Sequence, residues 1–150
     1  MDVQYINPFL EAFTKTLEQL GIMDIKKSNI TKKNKFYVNF DLSTVISMQG
    51  TIQGNIALSM PKDTAQKLAS TMMMNMSSSN IDDMVKSAIG ELLSIIAGTA
   101  STMLTSLGIS LQISPPLVLL EPSDINSLET LAIDFETQLG KIEFNIGFKM

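Results

Sequence analysis

The sequence predicts an α+β domain, mostly antiparallel sheet with three main helices, and three observations carry that prediction. Residues 80–107 hold one long run of apolar residues at a 3.6-residue period, two shorter helical patterns precede it, and alternating or short apolar runs bounded by Gly, Pro and Asn fill the remainder. The order is helix, strands, helix, long helix, strands. With 150 residues, 45% of them apolar, and no linker or low-complexity tract, residues 1–150 are expected to form one domain able to bury a core.

Asn7 and Pro8 are expected to open the first helix, because Asn can cap and a proline at the first helical position loses no needed N–H. Phe9, Leu10, Phe13, Leu17 and Leu20 line one of its faces, and Gly21 stops it. From Asp24 to Phe40 the pattern turns to alternation, with Phe36, Val38 and Phe40 on one side and Tyr37 and Asn39 on the other, which reads as strands. Thr44 to Gly50 and Asn55 to Met60 read as a hairpin, since Gly50 and Gly54 permit the dihedrals of its turn.

Pro61 starts a second helix through Met74, with Ala65, Leu68, Ala69, Met72 and Met73 as its buried stripe. The methionines between Met72 and Met84 are read as adaptable core packing rather than a metal or partner site. Ser77 to Ser79 form a polar connection. Beyond the long helix, Ser110 to Ile113 and Leu117 to Leu120 read as short strands split by Pro115 and Pro116, and Asp124 to Ser127 as loop. Leu131 to Thr137 and Lys141 to Phe148 close the chain as a second hairpin, joined at Leu139 and Gly140.

The long helix organises the rest. Asn80 is its expected N-cap, Asp82 and Asp83 suit the positive end of the helix dipole, and Gly108 is its stop. Ile81, Met84, Val85, Ala88, Ile89, Leu92, Leu93, Ile96, Ala97, Ala100, Met103, Leu104 and Leu107 form the apolar face, while Ser87, Glu91, Ser94, Gly98, Ser101, Thr102 and Thr105 form the other. Glu91 is the only ionisable side chain between Lys86 and Glu121, and Ser94 lies one turn along on the same side. The pair is the candidate site. Periodicity leaves two readings of it, a solvated carboxylate on the wet side of a core helix or a functional group. The Gly90, Ser94, Gly98 spacing also has two readings, a groove for an approaching backbone or tight packing inside the fold.

Composition removes whole classes of chemistry. The chain has no cysteine and no histidine, so disulfides, thiol nucleophiles and histidine bases are excluded. It has no arginine and no tryptophan, which removes bidentate phosphate forks. A net charge of −4 argues against nucleic acid as a partner, although Lys26, Lys27, Lys32, Lys33 and Lys35 crowd into one stretch. That stretch is read as a solvated strand pair with its turn; the alternative is a weak contact with an anionic surface. Leu92 to Leu120 carries no charge, but its Ser and Thr residues and the missing Lys or aromatic flanks argue against membrane insertion. Residues 1–5 lack a basic stretch followed by an apolar run, so a cytoplasmic protein is expected.

The run from Lys86 to Ala100, KSAIGELLSIIAGTA, resembles the signature helix of the CheX, CheC and FliY family of chemotaxis phosphatases, whose motif is Glu-x-x-Asn. Tyr5 to Phe13, Gly50 to Ile56, Leu68 to Met74 and Ile113 to Pro116 resemble the single-motif CheX branch in particular. No second copy of the helix signals the duplicated CheC layout. The similarity runs from residue 5 to about residue 120 and departs at one place, where the motif's Asn is Ser94.

The resemblance implies a CheC/CheX-like fold, a homodimer, and a function in two-component signalling. Proteins of this kind dephosphorylate the phospho-aspartate of CheY-like response regulators. They use no metal or organic cofactor of their own, since Mg²⁺ comes with the receiver domain. It further implies that Glu91 engages a lysine of the receiver and that Ser94 takes the place of the amide that orients the attacking water. Because a serine hydroxyl is shorter than that amide, two outcomes are open: a phosphatase weakened at Ser94, or a receiver-binding scaffold that has lost the activity.

Overall fold

A computed structural model of the protein describes residues 3–73 and 83–149. Helix α1 runs Val3–Gln19, followed by strands β1 (Lys26–Lys33), β2 (Phe36–Val38), β3 (Leu42–Gly50) and β4 (Gln53–Met60). Helices α2 (Lys62–Met72) and α3 (Asp83–Thr105) come next, then β5 (Leu111–Ile113), β6 (Leu117–Leu119), β7 (Ser123–Asn126), β8 (Thr130–Thr137) and β9 (Gly140–Lys149). The fold is α+β, with three helices and antiparallel sheet as expected.

The main sheet runs β1-β8-β9-β4-β3, and both β5 and β6 pair along the outer edge of β3. Both expected hairpins form: β3 with β4, Ile46 opposite Ile56, and β8 with β9, Ile133 opposite Phe144. Strand alternation sends Leu42, Ile46, Met48, Ile56, Leu58, Ile142, Phe144 and Ile146 to one face, where they share a core with all three helices. Among the helical members of that core are Phe9, Phe13, Leu68, Ile89, Leu92, Leu93, Ile96 and Leu104. By length and composition α3 could cross a membrane, yet its apolar side packs inside this core.

The first helix begins earlier than Asn7 and Pro8 suggest. Pro8 lies inside α1, not at its start, and it is buried. Ile6 extends the stripe of Phe9, Phe13 and Leu17 one turn towards the N-terminus, so burial outweighs the missing proline amide. At the other end Gly21, with φ +84°, donates its amide to Glu18, and Ile22 donates to Leu17, the glycine stop that the sequence indicates. Gly108 repeats the device after α3, where Ile109 donates to Leu104. Regular helix ends at Thr105 rather than at 107. The second helix, expected through Met74, ends at Met72 with Met73 as its C-cap, while Met74, the expected cap at Asn80 and the serine connection lie outside the described residues.

The opposite sheet face departs from expectation. Residues 124–127, read as loop, belong largely to β7, which pairs with β2 in a separate two-stranded sheet. This small sheet lays Phe36 and Val38 over Val45 and Ala57, with Leu119 and Ile125 packed beside them. Lys33, expected to be solvated with its neighbours, is buried under it. Its Nζ donates to Glu143 Oε1 at 3.0 Å, Asn145 Oδ1 at 2.7 Å and the Tyr37 carbonyl at 2.9 Å, so all three ammonium protons are used. Asn145 also donates to Glu143 at 2.9 Å, which closes the cluster. Burial, with Glu143 opposite on the neighbouring strand, pushes the Asp134 carboxyl above its ordinary range.

Candidate functional site

Helix α3 sets the site because it is amphipathic in an uneven way. Val85, Ile89, Leu92, Leu93, Ile96, Ala97, Ala100 and Leu104 are buried, and the residues between them form a narrow outer strip. Glu91 lies exposed on that strip, with Ser94 half-buried one turn further. Residues three apart on a helix are surface neighbours, about 5–6 Å between Cβ atoms. The structure therefore brings the two sequence candidates together on the exposed side.

Neither side chain is engaged internally among the described residues. Lys86, the nearest cation in sequence, pairs with Asp83 at 3.3 Å and leaves the Glu91 carboxylate alone. Further along, Thr102 Oγ1 donates to the Gly98 carbonyl at 3.1 Å and Thr105 Oγ1 to the Ser101 carbonyl at 3.0 Å. Those hydroxyls fold back onto the helix. Ser94 makes no such bond, so its hydroxyl is available to a group outside the chain.

The strip is less polar than the helical wheel implies. Met84, assigned to the core by its spacing, is 52% exposed, and Ile95, assigned to neither face, is 41% exposed. Met84 is two turns before Glu91 and Ile95 one turn after, so apolar groups flank the carboxylate along the strip. Leu107 is likewise exposed rather than core. Met73, Asp83, Met84, Ser87, Ala88 and Glu91 line a shallow open depression at the α2 side. Met72 and Met73 do pack partly against the core, as expected. Among the described residues no three Asp or Glu side chains are grouped so as to hold a metal ion.

Two glycines of α3 have different surroundings, Gly90 buried and Gly98 on the exposed strip. A Cβ on Gly90 would stand 3.2 Å from Pro116 Cγ, so Gly90 is the packing position of a close contact between α3 and the break that precedes β6. A Cβ on Gly98 would meet nothing within 4 Å. Internal packing therefore accounts for the first glycine and not for the second. The Pro115–Pro116 break between β5 and β6 rests against α3 at the turn that carries Glu91.

Comparison with known proteins bears on this helix. The family model described as "Chemotaxis phosphatase CheX" matches residues 42–136, which includes Glu91 and Ser94. A protein of Thermotoga maritima named "CheY-P phosphatase CheX" is 30% identical over 118 residues, 79% of this chain and 76% of that protein. The crystal structure of a chemotaxis protein CheX from Desulfovibrio desulfuricans superposes with a TM-score of 0.85 at 24% identity, covering 97% of this chain and 99% of the other. The CheX subunit of a CheX-CheY-BeF3-Mg²⁺ complex from Borrelia burgdorferi gives a TM-score of 0.82 at 25% identity, covering 97% and 98%.

Proposed function

The chain belongs to the chemotaxis phosphatase CheX family, and from that membership we propose that it binds phosphorylated CheY-like receiver domains and promotes hydrolysis of their phospho-aspartate. The observation that carries this reading is the pair Glu91 and Ser94, solvent-facing and unengaged on the outer strip of α3 within the family-matched region. The chain supplies no cofactor; Mg²⁺ is held on the receiver, consistent with the Mg²⁺ named in the Borrelia complex.

The chemistry asked of this chain is positional. A water oxygen attacks phosphorus, the bond from phosphorus to the aspartate oxygen breaks, and inorganic phosphate leaves a free receiver carboxylate. Glu91 docks the receiver by accepting from a lysine ammonium, and the Ser94 hydroxyl, donor and acceptor at once, orients the water. A serine reaches about 1 Å less far than an amide, and a misplacement of that size lowers rate on the order of 10²-fold. Phosphate release from a panel of phosphorylated receivers encoded in the same genome tests the reading. Binding without release above the receiver's own rate would identify the scaffold alternative, which the Ser94 departure favours.

The reading extends to setting and assembly. Residues 1–150 act as one cytoplasmic domain in two-component signalling, a reading supported by the single core that the main sheet shares with all three helices and by the family match. The domain forms a homodimer through a sheet edge. The β1 edge opposes symmetric pairing, since centring it near Asn29 and Ile30 sets the exposed Lys27 of one strand against the exposed Lys32 of the other. The β5–β6 edge carries no charge and exposes Leu117 and Leu120, so it is the pairing edge. Light scattering at micromolar concentration should give twice the 16.4 kDa chain mass; the monomer mass at every concentration would remove the dimer.

A further inference from the structure

Gly98 is a helix-interior glycine that nothing inside the protein requires. It sits within α3, far from either end, at an exposed position, and a Cβ there would meet open space. Glycine in a helix interior lowers stability by roughly 0.5–1 kcal/mol relative to alanine. Gly90 carries the same liability but is explained by Pro116 at 3.2 Å from its built Cβ.

The surface around Gly98 is low. Thr102 Oγ1 is turned down onto the Gly98 carbonyl, so it does not stand out as a polar post. Ile95, one turn before, supplies an exposed apolar wall, and Ser94 lies four residues back on the same side. Bare backbone beside an apolar wall is a shape complementary to a protruding group of a partner.

We propose that Gly98 is a specificity-determining contact for the receiver domain, the point at which the receiver packs directly on the α3 backbone with Ile95 as its lateral wall. This rests on the receiver-phosphatase reading and adds to it the residues that fix seating distance. A side chain at position 98 holds the receiver away from Ser94 and Glu91, although the free protein folds better with it.

The test uses the full chain and a receiver domain from the same genome, phosphorylated with acetyl phosphate in Mg²⁺. Gly98→Ala should raise the melting temperature and at the same time raise the Kd and KM for that receiver by about tenfold or more. Gly98→Leu should bind more weakly still, and Ile95→Ala should weaken binding without a rise in melting temperature. Wild-type affinity in both Gly98 variants overturns the inference, as does a loss that does not grow from Ala to Leu. If the wild-type chain neither binds nor dephosphorylates any receiver, the functional reading itself fails, and this contact fails with it.

Discussion

Lys33 and Glu143 meet 3.0 Å apart with 2% and 8% of their side chains exposed, joining the outermost strand of the sheet to its middle beneath the β2–β7 cover. The ammonium also lies 4.3 Å from the centre of the Tyr37 ring, so β2 is held from above by the same group that ties β1 to β9. A buried pair of this kind contributes little over an apolar replacement, but losing one partner strands the other charge.

Lys33→Met should therefore lower unfolding stability by about 3–5 kcal/mol, because the buried Glu143 carboxylate loses its only cationic partner among the described residues and keeps the Asn145 amide alone. Lys33→Met with Glu143→Leu should recover most of that loss. Urea unfolding of wild type, single and double variants measures both steps; equal losses in single and double would contradict the stranded-charge account.

At the candidate site, Ser94→Asn should raise dephosphorylation of the cognate receiver with little change in binding, since it restores an amide at the longer reach. Glu91→Ala should instead weaken receiver binding by about ten- to a hundredfold. Single-turnover phosphate release and titration calorimetry separate the two effects. No response in either measurement for either variant would return Glu91 to a solvated carboxylate.

Thr44 points the other way, towards a gain. Its hydroxyl oxygen is buried on the helix-facing side of β3 with no hydrogen-bond partner among the described residues. Replacement by Val removes an unsatisfied donor and keeps the branched shape, so Thr44→Val should add about 1 kcal/mol. In a chain of this size that is a rise in melting temperature of about 2–4 °C. A fall would mean that the hydroxyl has an internal partner such as a bound water.

Much of this was legible in the sequence because the signals are local. The period of α3, the two hairpins around Gly50 to Gly54 and Leu139 to Gly140, and the glycine stops at Gly21 and Gly108 each follow from residues close together in the chain. Glu91 stands out for a local reason too, as the lone charge in a long uncharged run. What was hidden depends on distant partners. Ser123–Asn126 holds a single large apolar residue and becomes a strand only by pairing with Phe36–Val38. Lys33 looks like any other member of a lysine-rich strand until β9 brings Glu143 and Asn145 beneath it. Met84 and Leu107 were misjudged because spacing gives the direction of a side chain and not what, if anything, covers it.

The contact between Gly90 and Pro116 gives the site an apolar datum. The height of Glu91 and Ser94 above the sheet is gauged by van der Waals contact between a bare helix turn and a rigid ring, not by an ion pair or a titrating group. Salt consequently acts on how strongly a charged partner is attracted to Glu91, while the platform that presents the pair keeps its alignment.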